Sequence, residues 1–344
     1  MSTPDETPST GPQSEPRRIV WAIDPFGDTD KSHQLDIDFL RQYAQRVPVT
    51  IEPVYVLSPV EINLSAELTA PVLAETYRFR PAAEKALEKA LSGVDIPGLL
   101  KPKILVQYLA SLAHASQVLS EYAWSTGAHL ILANTHGRSG LRRAFLGSFA
   151  ESLLNHSHTP LVTIGPTVDT IRSFDAILFP TDFREASRKT RCVFRKLVHF
   201  ASEIHSSVTI YHSISHTLET AMQSGASLLG GGWFPIQATF SDEAERKQRR
   251  ADLWSEWAKN QGVSSEALIE IQFTGMPDAI LQASKLKNVG LIAMEPQSGP
   301  LISALVGSTL RQVIRNADCP VWVYRPDESE VKSATTPLEL SKAA

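Results

Sequence analysis

Four landmarks of this chain recur in the same order about 160 residues later, and this internal repeat limits the fold more than any single motif does. The run Ile19–Asp24, apolar and ending in an acid, returns as Ile177–Asp182 at an offset of 158. Val49-Thr50-Ile51 returns as Val208-Thr209-Ile210 at 159, Gly147-Ser148 as Gly307-Ser308 at 160, and Pro160–Ile164 as Pro320–Tyr324 at 160. Between the two copies, Gly165–Ser173 holds the Gly and Pro that interrupt the pattern. A length of 344 residues suits two units of roughly 150 each. The reading is therefore a first unit over 17–166 and a second over 173–326. Residues 1–16, rich in Ser, Thr, Pro and Glu, and residues 327–344 are expected to be disordered tails.

Within each unit, short β-branched runs alternate with longer amphipathic segments. Strands are expected near 18–23, 49–56, 103–107, 129–133 and 160–164, then near 174–179, 207–212, 267–273, 289–293 and 320–324. Helices are expected near 35–46, 70–92, 111–126 and 147–157, then near 187–204, 241–261, 276–287 and 306–317. This alternation defines an α/β class: two tandem domains, each a five-stranded, mainly parallel sheet with helices on both faces.

Composition narrows the function classes. A net charge of -4 leaves no basic excess to neutralise nucleic-acid phosphates. No apolar run approaches the roughly 20 residues of a membrane span. The first 16 residues lack the apolar stretch of a signal peptide, so a cytoplasmic location is expected. Cys192 and Cys319 are too far apart for a CxxC motif and read as buried small hydrophobes. His156 and His158 read as partners of a helix C-terminus, and His212 and His216 have no metal-spaced companions. No Gly-x-Ser-x-Gly elbow, metal-spaced set or Walker-type Gly-Lys-Ser/Thr is present, so no enzymatic activity is expected.

Two features of the first unit point to the carboxyl edge of the sheet, where open α/β sheets bind ligands. One is Asp24, just past the first strand. The other is Asn134–Ser148, which runs from the fourth strand through a basic, Gly-containing loop to a helix start. Gly137 and Gly140 let backbone amides approach an anion without a Cβ in the way. Gly147, Ser148 and Phe149 would present the free amides of a helix N-terminus, worth roughly 0.3–1 kcal/mol per exposed anion contact. Arg138, Arg142 and Arg143 would add charge and forked donors. Taken alone, the same residues equally describe a Gly-rich turn with a Ser cap and solvated arginines.

The loop resembles the G-x2-G-x9-G-[ST] signature of the universal stress protein family, with Gly137, nine further residues, and Gly147-Ser148. Pro180-Thr181-Asp182-Phe183, Gly307-Ser308 and Ala317–Val321 carry the resemblance into the second unit. It implies that ATP or AMP is held by Asp24, flanked by Ala22 and Ile23, near adenine and ribose. It further implies that the backbone at Val54 reads the adenine edge, and that Gly137, Arg138, Gly140, Gly147, Ser148 and Phe149 hold the phosphates. Mg²⁺ is implied only with ATP. Asn134 stands at the signature's first glycine, and counting by 160 puts Met294 and Gln297 at both glycines of the second copy. If that first position needs a left-handed backbone, Met would cost on the order of 1–2 kcal/mol, and a degenerate second site is expected.

The resemblance implies a nucleotide-responsive regulator or adaptor in stress response, with a protein partner the sequence does not identify. A nucleotide-independent adaptor and a slow ATPase are the competing readings. Family members pair through their last strands, so Leu161–Ile164 and Val321–Tyr324 are expected to meet in an intramolecular pseudo-dimer.

Overall fold

The structure is a computed structural model that describes residues 15–26, 30–58, 72–107, 111–135, 148–183, 188–215, 236–272, 274–296 and 307–333, excluding the side chains of 30, 72–78, 112, 148, 215 and 236–243. The first half runs β1 (Arg17–Ala22), α1 (Asp30–Arg46), β2 (Val49–Leu57), α2 (Val72–Ala90), β3 (Lys103–Val106), α3 (Leu112–Ser125), β4 (Leu130–Asn134), α4 (Ser148–His156) and β5 (Leu161–Ile164). The second runs β6 (Ala176–Pro180), α5 (Arg188–Glu203), β7 (Ser207–Ser215), α6 (Ile236–Asn260), β8 (Ser265–Gln272), α7 (Met276–Leu286), β9 (Leu291–Met294), α8 (Ser308–Asn316), β10 (Val321–Val323) and α9 (Glu328–Ser333).

All ten strands form one sheet in the order β3-β2-β1-β4-β5-β10-β9-β6-β7-β8. Inside each half every pairing is parallel. Among the described residues the one antiparallel pairing joins the halves, with Thr163 opposite Val321, Val162 opposite Trp322 and Leu161 opposite Val323. Alternation along the strands sends Ile19 and Trp21 to one face and Val20 to the other. On the first face lie α1, α2, α5 and α6; on the second lie α3, α4, α7 and α8. Each face is one continuous apolar cluster spanning both halves, so the core is not divided at the repeat boundary.

The joint is dense. Phe39 meets Phe174 at 4.9 Å between centroids, Tyr43 meets Phe200 at 6.0 Å, and Phe200 stacks on Trp322 at 5.8 Å. Gly165 ends the strand beside α8, where an added Cβ would fall 2.1 Å from the Ile314 carbonyl oxygen. Glu151 on α4 pairs with Arg311 on α8 at 3.0 Å, and Arg172 with Asp318 at 2.6 Å. Arg46, at the end of α1, donates to the Ile204 carbonyl (2.8 Å), Ser173 Oγ (2.9 Å) and Asp175 (2.6 Å). Arg46→Ala is expected to lower the unfolding free energy by about 1–3 kcal/mol, since the Ile204 carbonyl loses a charged donor. Urea denaturation measures this, and an unchanged midpoint would refute the role given to Arg46.

The carboxyl-terminal tail differs from the sequence reading: 328–333 within the supposed disordered stretch is the helix α9. Asp327 caps it by accepting from the Glu330 N–H (2.8 Å), while the Glu330 carboxylate takes the Asp327 N–H (3.1 Å). This reciprocal capping box is spelled in the sequence as Asp-x-x-Glu. Glu330 also accepts from the Tyr324 hydroxyl at 2.5 Å, tying α9 to the end of β10.

Candidate functional site

β1 lies between β2 and β4, so the chain leaves it to one side for β2 and β3 and to the other for β4 and β5. That reversal makes a crevice at the carboxyl ends of β1 and β4, the place where such sheets hold ligands. Ala22 is opposite Ala133, so Asp24 and Thr135 leave adjacent parallel strands side by side. Asp24 is half-buried and accepts the Phe26 N–H at 3.0 Å, which fixes the turn after β1. Phe26 is 48% exposed and meets the Tyr55 ring edge-on at 5.9 Å.

Of the remaining site residues, Ala22 is opposite Val54, and Ile23 is buried. Val54 is an internal rung whose carbonyl accepts the Ile23 N–H at 3.0 Å. The next residue of β2 to face the same side is Val56, past the end of β1, so backbone open to a ligand begins there. The signal for this was the length of β2, which outruns β1. Ser148 starts α4, and Phe149 packs its side chain partly into the core on its face, leaving its first-turn amide as the usable group. Gly137, Arg138, Gly140 and Gly147 lie outside the described residues, as do His136, Arg142, Arg143, His216, Gln297 and the loop Gly230–Phe234.

Strand register corrects the alignment of the two halves. Ile19 pairs with Leu130 and Ile177 with Leu291, an offset of 161 for the fourth strand of each half. The residue matching Asn134 is thus Glu295, and Met294 matches Ala133; both of the latter face the same core cluster. Ile19 pairs with Ile51 while Ile177 pairs with Val208, so the second strands match at 157 rather than 159. A slip of two leaves every side chain on its own face, so the hydrophobic pattern does not reveal it. Neither Asn134 nor Met294 has a positive φ, and the strain considered for Met294 is absent.

Asn134 donates through Nδ2 to the Ser32 carbonyl (3.3 Å) and to Asp36 Oδ1 (3.4 Å), both on α1. Asp36 Oδ2 accepts the Trp21 indole N–H at 3.1 Å. Burial pushes the Asp36 carboxyl up to about 7, against the pull of these two donors. At the matching exit of the second half, Glu295 accepts from Thr190 Oγ1 (2.6 Å) and is likewise raised by burial. Beside Asp182, Phe183 has a φ of +50°, is buried, and packs on His212 (5.7 Å) and Trp254 (5.5 Å). Lys247 and Arg250 of α6 donate to the Asp182 and Phe183 carbonyls at 2.5 and 3.1 Å.

His156 Nδ1 contacts the Ser152 carbonyl (2.8 Å) within its own helix, and His212 Nδ1 contacts the Thr181 carbonyl (2.6 Å). Both cysteines are free and buried, and burial raises the Cys319 thiol to about 12. Among the described residues there is no metal-binding cluster, and no helix is long and apolar enough to cross a membrane.

The fold defines a tandem α/β protein with one topological switch point per half. The Universal stress protein family profile matches residues 16–165 and again 173–325, and the chain belongs to that family. A universal stress protein from Archaeoglobus fulgidus has a crystal structure similar to this chain with a TM-score of 0.57, at 16% identity over 91% of this chain and 97% of that one. A universal stress protein structure from Pseudomonas aeruginosa gives a TM-score of 0.54, at 14% identity over 94% and 99%. A shorter Archaeoglobus fulgidus universal stress protein, solved in complex with dAMP, is 16% identical over 43% of this chain and 95% of its own, with a TM-score of 0.30. A comparison with curated proteins finds no match.

Proposed function

We propose that the first half binds an adenine nucleotide, ATP or AMP, and that the protein acts in the cytoplasm as a nucleotide-responsive regulator or adaptor in stress response. The observation that carries this reading is the placement of Asp24 beside the exit of β4 at the sheet's switch point. In this reading Asp24 is the ribose acceptor, next to the strand from which the Gly137–Ser148 signature departs. The backbone beyond β1, from Val56, supplies the edge for a base. Mg²⁺ would accompany ATP only, and no catalytic step belongs to this reading.

The second site is read as degenerate. Glu295 puts an acid where the first half has the Asn134 amide, which opposes an anionic ligand, and Phe183 packs into the turn beside Asp182. The antiparallel β5–β10 joint supports an intramolecular pseudo-dimer of the halves, leaving the outer surfaces for a protein partner.

Thermal denaturation with added AMP or ATP tests the reading. Nucleotide at 100 times its dissociation constant is expected to stabilise the protein by about 2.7 kcal/mol, and Gly147→Trp is expected to abolish the gain. No shift at millimolar nucleotide would favour a nucleotide-independent adaptor.

A further inference from the structure

The most unusual group in the described core is the Asp36 carboxylate. It is 4% exposed and is met by two neutral donors, the Trp21 indole from β1 and the Asn134 amide from β4. Among the described residues no cation pairs with it. Of the ionisable groups around it, His33 stacks on Trp21 at 5.1 Å and contacts the Ala90 carbonyl of α2 at 2.9 Å. Lys31 pairs with the exposed Asp169, Asp38 pairs with Arg41 at 3.3 Å on the outer side of α1, and Asp24 takes the Phe26 amide.

The second half shows that the fold does not need this arrangement. By register and helix position, Phe179 stands at Trp21 and Phe194 at Asp36, both fully buried and in ring contact at 5.5 Å. An unpaired buried carboxylate costs free energy that two apolar rings avoid. The first half keeps it directly under the residue from which its signature loop departs.

An indole N–H only donates, so a proton on Asp36 does not fit on Oδ2, which faces Trp21. It belongs on Oδ1, facing the Asn134 Nδ2 donor. Turning the Asn134 amide brings its oxygen inward to accept that proton, and the bond from Nδ2 to the Ser32 carbonyl is then given up.

We propose that Asp36 is a positioning residue for the exit of β4: its protonation turns the Asn134 amide, breaks that side chain's bond to the Ser32 carbonyl of α1 and weakens the hold on an anionic ligand. The ligand part of this inference rests on the nucleotide reading above. The ionised form is the one that pins Asn134 to both Ser32 and Asp36, and burial brings the carboxyl's titration near neutrality.

The test follows the Trp21 indole N–H resonance by NMR between about pH 5 and about pH 9 in the full chain without ligand, assigned by its loss in Trp21→Phe. One titration centred near 7 is expected. Protection of the peptide spanning 130–148 against hydrogen exchange, corrected for the intrinsic pH dependence of amide exchange, should fall several-fold below that midpoint. Asp36→Asn keeps an acceptor for Trp21 and a donor for Asn134, so it should mimic the protonated state, with low protection at every pH and no titration. Trp21→Phe combined with Asp36→Phe copies the second half and should show a corrected protection that does not change with pH. AMP should bind wild type about tenfold more tightly than Asp36→Asn at about pH 8 and equally near pH 5.

A Trp21 resonance that does not titrate, one that titrates unchanged in Asp36→Asn, or a corrected protection of the 130–148 peptide indifferent to pH would each overturn the proposal. If titration and exchange behave as stated but neither protein takes up AMP at any pH, the positioning role stands and the nucleotide reading falls.

Discussion

Trp322→Ala is expected to lower the unfolding free energy by about 3–5 kcal/mol, and to do so in one transition that includes both halves. The ring is fully buried at the centre of the joint, opposite Val162 across the antiparallel pairing and opposite Ala293 on its own side. It stacks on Phe200 at 5.8 Å and meets Tyr324 at 5.9 Å. Neighbouring strands on both sides are fixed by the sheet ladder, so the space left by an indole closes only in part. Each face of the sheet holds one apolar cluster across the repeat, so the damage should not stay in one half. Among the described residues the Trp322 Nε1 has no hydrogen-bond partner, so Trp322→Phe should cost far less, under about 1.5 kcal/mol. Urea denaturation followed by far-ultraviolet circular dichroism and by tryptophan fluorescence measures both. Two separate transitions in the wild type, or a cost below about 1 kcal/mol for Trp322→Ala, would contradict the single-core account.

The second large effect is a loss of stability with rising pH that Asp36→Asn removes. The unfolded carboxyl titrates near 3.8, and the folded one near 7. A carboxyl whose folded value is raised binds its proton more tightly in the native state. Its contribution is complete below about pH 4 and is lost as pH rises to about 7. The slope is about 1.4 kcal/mol per pH unit, or about 4 kcal/mol across the window. Other groups titrate in the same range, so the informative quantity is wild type minus Asp36→Asn. That difference should fall steadily from about pH 4 to about pH 7 and then flatten. Parallel stability curves for the two proteins would mean that Asp36 is solvated rather than buried.

Much of the architecture was legible because strands and helices write different periods. Segments such as Leu161–Ile164 and Val321–Val323 are too short and too β-branched for helices, and they recur at near-constant spacing. The helix α9 was also legible in principle: Asp327 and Glu330 spell a capping box that the tail's polar composition obscured. For the site, Asp24 and Phe149 are found at the strand and helix ends where the pattern put them, while the Val54 carbonyl is taken by the Ile23 N–H inside the ladder. The mismatch of Met294 with Asn134 arose because counting residues assumes equal loops, and only the ladder shows that β9 is shifted by one.

The sequence by itself determined that the chain is built of two repeated α/β units with a glycine-bearing exit from the fourth strand of the first. Periodicity and repetition are local properties, and local chemistry is enough to write them. The tertiary structure alone decided which strands face each other at the joint, which residues match between the halves, and that Asp36 lies under Asn134 in a dry core. Those outcomes depend on segments about 100 residues apart being brought together, and a carboxyl's ionisation follows from the water it loses there, not from its neighbours along the chain.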